Sequence, residues 1–402
     1  MNLTLSESPS ISLRKSDVTS LSLSLKTVPS VSLKQLSPIA QGIDSTLRTD
    51  VFFAPIITGS PTVSGTVQIG QVLTASAASV SALPASTRVF RWERSDNGTD
   101  GWTTIQDSNT YTIQNADSQK YLRVVQRETN TIATTTSASA STSQVPAALL
   151  LNLYGNSVLG GFSLRKLKSD YTGNCIEVTK NGSDFQNIGF QGNALDTAAL
   201  QAFAGSSDVF VSKVYDQSGG TMGDMTQSTF SAMPQIYDAS NGLITRNNKP
   251  ALFMHGTAFM EMQSEQSVTA DASVFALGHA TAGGRYYDSS TQGTFLLIQN
   301  NRIRIKWSGT TKDQSFSNDG INNTYIFYVA RDNGVFKARR NNTDYGQVGT
   351  GTGTGTIKFL RLGSKVAFFD GDIQEMVFFS ANKTSEAGAM IEEINSFYSV
   401  YS

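Results

Sequence analysis

The sequence predicts an all-β protein: an extended N-terminal segment followed by two β-sandwich domains, the second with one internal helix and one C-terminal helix. Three observations carry this reading. Hydrophobic residues make up 39% of the 402 residues and charged residues only 16%, with 34 glycines, a balance that suits short strands joined by small polar turns. From about residue 56 onward, short runs alternate apolar and polar positions, the period of a strand with one buried face. The length exceeds what one ordinary core holds, so two or three domains are expected.

Residues 1–55 carry a loose repeat: ISLRK from Ile11, LSLSLK from Leu21 and VSLKQ from Val31. Each unit alternates and carries Arg or Lys toward its end, while Pro9, Pro29 and Pro38 interrupt long strands. So few apolar residues cannot offset the ordering entropy alone. The segment is therefore expected to be an anchor whose short strands add to a partner protein's sheet edges. Leu13, Arg14, Lys15, Leu23, Leu25, Lys26, Val31, Leu33 and Lys34 would make the contacts. A Ser-rich tail with accidental repetition is the alternative.

Residues 56–146 form the next unit. GSPTVSGTVQIGQVLTAS gives two strands around a Gly turn, followed by RVFRWERSDNGTDGWTTI and NTYTIQNADSQKYLRVVQRETN. Strands at roughly ten-residue spacing with polar turns predict a sandwich. The PTVSGT opening, the central Trp92 and the corner Asp117 with Tyr121 resemble the bacterial and phage immunoglobulin-like family. With no cysteine pair in this unit, Trp92, Val89, Leu122 and Val124 are expected to hold the core by packing. Trp102 is expected to cover the sandwich edge, with a binding aromatic as the alternative. Thr131–Ser143 leads into a polar linker, and Pro146 marks the boundary.

Residues 147–402 form the large unit. ALLLNLY opens it as a buried run, SLRKL alternates as a strand, and LDTAALQAFAG reads as a helix capped by Asp196 or Thr197. Strands then return as DVFVSKVYDQ, KPALFMHG, ASVFALGHA, GTFLLIQNNRIRIKW, NNTYIFYVARDNGVFKARRNN, TIKFLRLG and GDIQEMVFFSA. The closing KTSEAGAMIEEINSFYSVY predicts a helix capped by Thr384 or Ser385, with Met390, Ile391, Ile394 and Tyr398 on one face. SLRKLKSDYTG, LDTAALQAF and YDQSG, in that order and spacing, resemble the concanavalin A-like module of fungal-type α-L-arabinofuranosidases, which also recurs in phage virion proteins.

That resemblance implies a jelly-roll sandwich and poses the question of hydrolysis. A retaining glycosidase needs two carboxyl groups about 5 Å apart. Where the family has its nucleophile this chain reads FLLIQNN, with Gln299, and the acid/base position falls on Ser364 and Lys365. Neither stretch has an acidic residue within three positions, so no catalytic residues are assigned and no hydrolase activity is expected. His255 and His279 read as structural or surface histidines, and no G-x-S-x-G elbow is present. The GTGTGTGT run at 349–356 reads as a flexible hairpin rather than a phosphate loop.

No cofactor or metal is expected. Ca²⁺ is the one candidate, at Asp216, Asp224 and Asp370 with Asp372, against their reading as turn residues. Candidate saccharide contacts are Tyr215, Asp216, Gln217, Tyr286, Tyr287 and Trp307, which combine aromatic faces with planar polar groups.

The formal net charge is -1 with a single cysteine, Cys175. No overall field recruits nucleic acid or an anionic membrane, and the cysteine count fits folding in a reducing compartment. MNLTLSESPS lacks the basic start and apolar run of a signal peptide, so synthesis in the host cytoplasm is expected. The module order resembles phage decoration proteins and head or tail fibres. The resemblance implies a virion surface protein held by residues 1–55 on a capsid or other virion protein, with a homotrimer and cell-surface polysaccharide as further candidate partners. A tail or baseplate fibre adhesin and an arabinofuranosidase-like hydrolase are the alternatives.

Overall fold

Strands dominate both units into which the chain divides, Met1–Ala147 and Ala148–Ser402. The computed structural model describes residues 52–402 apart from 292, 318 and 366, together with the strands Asn2–Thr4 and Ser22–Ser24, which pair in parallel. Of the expected anchor contacts, Leu23 lies in the second of these strands, opposite Leu3. Leu13, Arg14, Lys15, Leu25, Lys26, Val31, Leu33 and Lys34 lie outside the described residues.

In the first unit, Thr87–Ser95 places Phe90 and Trp92 in phase on its buried face. It lies between Tyr121–Thr129 and Thr103–Asp107, and Thr134–Ala138 completes a four-stranded sheet. Smaller sheets are formed by Thr62–Ser64, Val72–Ser76 and Thr110–Thr112, and by Phe53–Thr58 with Ser79–Leu83. Trp92 is fully buried, stacks on Tyr111 at 5.8 Å and donates its indole N–H to the Ser108 carbonyl. Leu73, Ile113, Leu122 and Val124 complete the core. Val89 does not join them: one residue out of phase with Phe90, it points outward and is 38% exposed.

The corner also differs from expectation. Asp117 accepts from the Tyr111 hydroxyl at 2.6 Å and from the Gln114 amide at 2.8 Å. Tyr121 stands out of phase with the buried Leu122 and Val124, so it cannot reach that corner from inside. Trp102 lies half-buried under the Arg123 guanidinium, 4.2 Å from its ring centroid.

The large unit is a nearly closed sandwich of two sheets, as the sequence predicts. One runs through Thr343–Gln347, Val335–Arg340, Thr324–Asp332, Ala272–Ala280 and Gly371–Phe379. The two halves of Gly371–Phe379 pair onward with Leu252–Met254 and Val158–Ser163. The other sheet runs through Thr310–Ser315, Arg302–Trp307, Phe295–Gln299, Gly284–Asp288, Ile357–Gly363, Phe259–Val268 and Met225–Thr226 to Val209–Val214. Gln235–Asp238 joins the two by pairing with Val209–Val214 and Leu252–Met254. Aromatic side chains fill the space between: Phe378 packs on Phe359 at 5.1 Å and on Tyr287 at 5.7 Å, and Trp307 on Phe359 at 6.3 Å.

Gly371–Phe379 is buried at every position. Its outer face is covered by the C-terminal helix Ala387–Tyr398 through Met390, Ile391, Ile394 and Tyr398, with Leu150 and Leu151 of the short helix Leu150–Tyr154 beside them. The C-terminal helix begins after Glu386 without a side-chain cap; Thr384 instead bonds the Tyr328 hydroxyl, and its amide donates to Asn382. The internal helix Thr197–Ala204 is capped by Asp196, which accepts from the Ala199 amide, and ends at Gly205 with φ +58°.

Candidate functional site

The sequence motifs that look most specific prove to be scaffold. The strand Val158–Ser163 ends at Ser163, and Gln217 binds backbone groups at and beyond that end. Gln217, 1% exposed, accepts from the Leu167 amide at 2.8 Å and donates to the Ser163 and Arg165 carbonyls at 2.7 and 3.0 Å. Asp216 accepts from the Gly161 and Ser218 amides, both at 2.9 Å, and burial pushes its carboxyl up despite these bonds. Arg165, 2% exposed, forms ion pairs with Glu375 at 2.7 Å and Glu393 at 2.6 Å. SLRKL and YDQSG thus form one interlocked unit with the last strand and the C-terminal helix.

Four of the six candidate saccharide contacts are therefore corrected. Gln217 is consumed by the backbone, and Tyr286, Tyr287 and Trp307 are 1%, 0% and 0% exposed. Trp307 stands in phase with Ile303 and Ile305 along RIRIKW, so it faces the core, where its indole N–H donates to the Tyr287 hydroxyl at 2.7 Å. Burying polar tips that satisfy each other is what allows these rings inside. Tyr215 and Asp216 remain half-buried, with the Tyr215 hydroxyl donating to Asn187 at 2.7 Å.

The suggested metal residues do not converge. Asp224 accepts from the Asp216 amide, while Asp372 pairs with Arg246. Among the described residues no group of three or more His, Cys, Asp or Glu side chains is placed to hold a metal. His255 meets the Met233 carbonyl at 2.9 Å, and burial holds His279 below its usual range.

At the hydrolase positions, Gln299 accepts from Arg302 Nε at 2.7 Å at the end of its hairpin, remote in sequence from Ser364. Ser364 donates to Asp288, and Lys365 pairs with Glu261 at 2.9 Å. Two carboxylates thus reach the Ser364–Lys365 stretch from other strands. The stretch itself contains no acidic residue within three positions, and strand pairing brings these two carboxylates to it.

Register explains the assembly. Thr226 lies opposite Glu261, Glu261 opposite Arg361, and Arg361 opposite Asp288, so the four share one face of the sheet. Arg361 binds Glu261 at 2.7 Å and Asp288 at 3.3 Å. Asp288 is fully buried, and burial pushes its carboxyl up although Ser364, Arg361 and Arg285 pull the other way. Glu261 is partly exposed and opens onto a depression of about 500 Å³ lined by Gln227, Thr229, Phe259, Glu261, Gln263 and Lys365 among others.

Such a lining offers hydroxyl and amide partners, two carboxylates (Glu261, and Glu265, which pairs with Lys358 at 2.9 Å), one ammonium and one aromatic ring, with Lys365 Nζ 4.7 Å from the Phe259 ring centroid. That set suits a hydroxyl-rich ligand. The signal for it lies in FMEMQSEQ, where Met260 and Met262 face the core and Glu261 and Gln263 face out. Nothing in local spacing says that these meet Asp288.

The large unit carries a β-sandwich fold of a kind found in a solved glycoside hydrolase. In particular, it is similar to a mutant of GH54 α-L-arabinofuranosidase soaked with 4-nitrophenyl α-L-arabinofuranoside, with TM-score 0.50 and 15% identity over 61% of this chain. The match spans 64% of that enzyme's chain, short of two thirds. Domain 4 of AbnA, a GH43 extracellular arabinanase from Geobacillus stearothermophilus in complex with arabinotriose, aligns at TM-score 0.32 and 14% identity, over 44% of this chain and 91% of that one. The carbohydrate-binding module CBM66 from Bacillus subtilis aligns at TM-score 0.23 and 10% identity, over 33% and 84%. No protein-family model and no curated protein sequence matches.

Proposed function

We propose that this chain is a structural surface protein of a phage particle, held by residues 1–55 and displaying an immunoglobulin-like unit and a lectin-like sandwich. Capsid decoration or a head fibre is favoured over a tail or baseplate fibre, and the large unit makes weak contact with polysaccharide through the depression beside Glu261. The observation that carries the proposal is a β-sandwich whose carboxylates at the depression are tied into ion pairs, Glu261 to Arg361 and Lys365 and Glu265 to Lys358. Many displayed copies convert a weak site into firm adhesion through effective concentration.

Removing residues 1–55 tests the attachment. The truncated protein is expected to be soluble and folded and to be missing from purified particles; continued attachment overturns the anchor.

The hydrolase alternative has one specific observation in its favour, because Glu261 and Asp288 face a single guanidinium. Against it, Asp288 is sealed from any anomeric carbon. High concentrations of the protein are expected to release no nitrophenolate from 4-nitrophenyl α-L-arabinofuranoside. Release that disappears in Glu261→Gln would replace the structural reading with the enzymatic one.

A further inference from the structure

The row that begins at Thr226, Glu261, Arg361 and Asp288 does not stop there. Asp288 lies opposite Phe295, Phe295 opposite Lys306, and Lys306 opposite Thr311, so one sheet face continues from the depression across three more strands. The next row on that face holds Arg285, Leu297, Arg304 and Asp313, and a third holds Gln299, Arg302 and Ser315. RIRIKW alternates here between a core face of Ile303, Ile305 and Trp307 and an outer face of Arg302, Arg304 and Lys306.

Charge on this extension is one-sided. Arg302 and Arg304 share Asp313, at 3.2 and 2.7 Å. Arg285 lies over the Phe295 ring at 4.0 Å and 3.7 Å from Asp288, which Arg361 also binds. Lys306 stands 5.8 Å from the Phe295 ring and forms no ion pair among the described residues. Arg302, Arg304 and Arg285 therefore meet Asp313 and part of Asp288 while Lys306 pairs with neither, in a chain whose net charge is -1. Alternate residues of a strand are about 7 Å apart, so Arg302, Arg304 and Lys306 present positive groups in a line along the strand.

We infer that this face binds an acidic polysaccharide, its hydroxyl groups in the depression around Glu261 and its carboxylates on Arg302, Arg304 and Lys306. Guanidinium and ammonium groups bind carboxylates through charge-assisted hydrogen bonds, and Arg302 and Arg304 keep donors beyond those spent on Gln299 and Asp313. A single-stranded nucleic acid fits less well, because stacking needs open aromatic faces and Phe295, 6% exposed, lies under Arg285. The inference rests on the saccharide-contact reading of the depression and is independent of particle attachment.

The test uses the full chain in affinity electrophoresis through gels containing polygalacturonate, dextran or duplex DNA, at rising NaCl. Retardation by polygalacturonate that weakens with salt is expected, with at most weak retardation by DNA. Arg304→Gln with Lys306→Gln is expected to weaken it by about tenfold, the sum of two modest contacts. Lys306→Gln alone removes no ion pair with a described residue, so it reports on binding even where the double variant folds poorly; a loss of about threefold is expected. Three results overturn the inference: no retardation at low salt, retardation unchanged in both variants, or equal retardation by duplex DNA. Any of them leaves the particle-attachment proposal standing, because that depends on residues 1–55.

Discussion

Arg165 sits between Glu375 and Glu393 with 2% of its surface exposed, so it neutralises charge that water cannot reach. Arg165→Met strands a buried carboxylate, and the expected cost is about 3–5 kcal/mol, measured by urea unfolding of the isolated large unit. An unchanged midpoint would show that the pair is dispensable. Asp288 makes a second prediction, through pH. Burial raises its folded-state pKa, so the stability it contributes is full below its unfolded value and is lost as pH rises through the folded one. Relative to Asp288→Asn, the natural protein should therefore lose stability as pH rises above the ordinary carboxylate range. A difference that is flat or runs the other way contradicts the assignment.

Local elements were legible where alternation or capping decides them. Asp196 caps its helix, and Met390, Ile391, Ile394 and Tyr398 share the buried face of the last one, as their spacing predicts. Long-range register was not legible: Asp288 meets Arg361 and Ser364, over seventy positions away, only because two strands pair. Phase also misled where a polar tip suggested exposure, as for Trp307 and Tyr287, which satisfy each other inside. The corner at Asp117 gives the element-scale prediction. Tyr111→Phe leaves buried Asp117 short of a donor and should cost about 1–3 kcal/mol, whereas Tyr121→Phe should change stability by less than about 0.5 kcal/mol. Thermal unfolding of both variants checks the pair, and the reverse order would restore Tyr121 as the corner residue.

At the scale of the whole molecule, composition and alternation were enough for the all-β class, since neither depends on which strands pair. The charge map was hidden in a total near zero: buried Arg165 with its carboxylates and the outward line of Arg302, Arg304 and Lys306 are invisible in a net charge of -1. A displayed sandwich, a spacer and an alternating basic segment form one account if the protein resides on a particle. Immunogold electron microscopy of purified particles, with antibody against residues 147–402, tests that directly. The account predicts gold on the particles, distributed over the heads for capsid decoration. Unlabelled particles with the antigen left in the supernatant would contradict it.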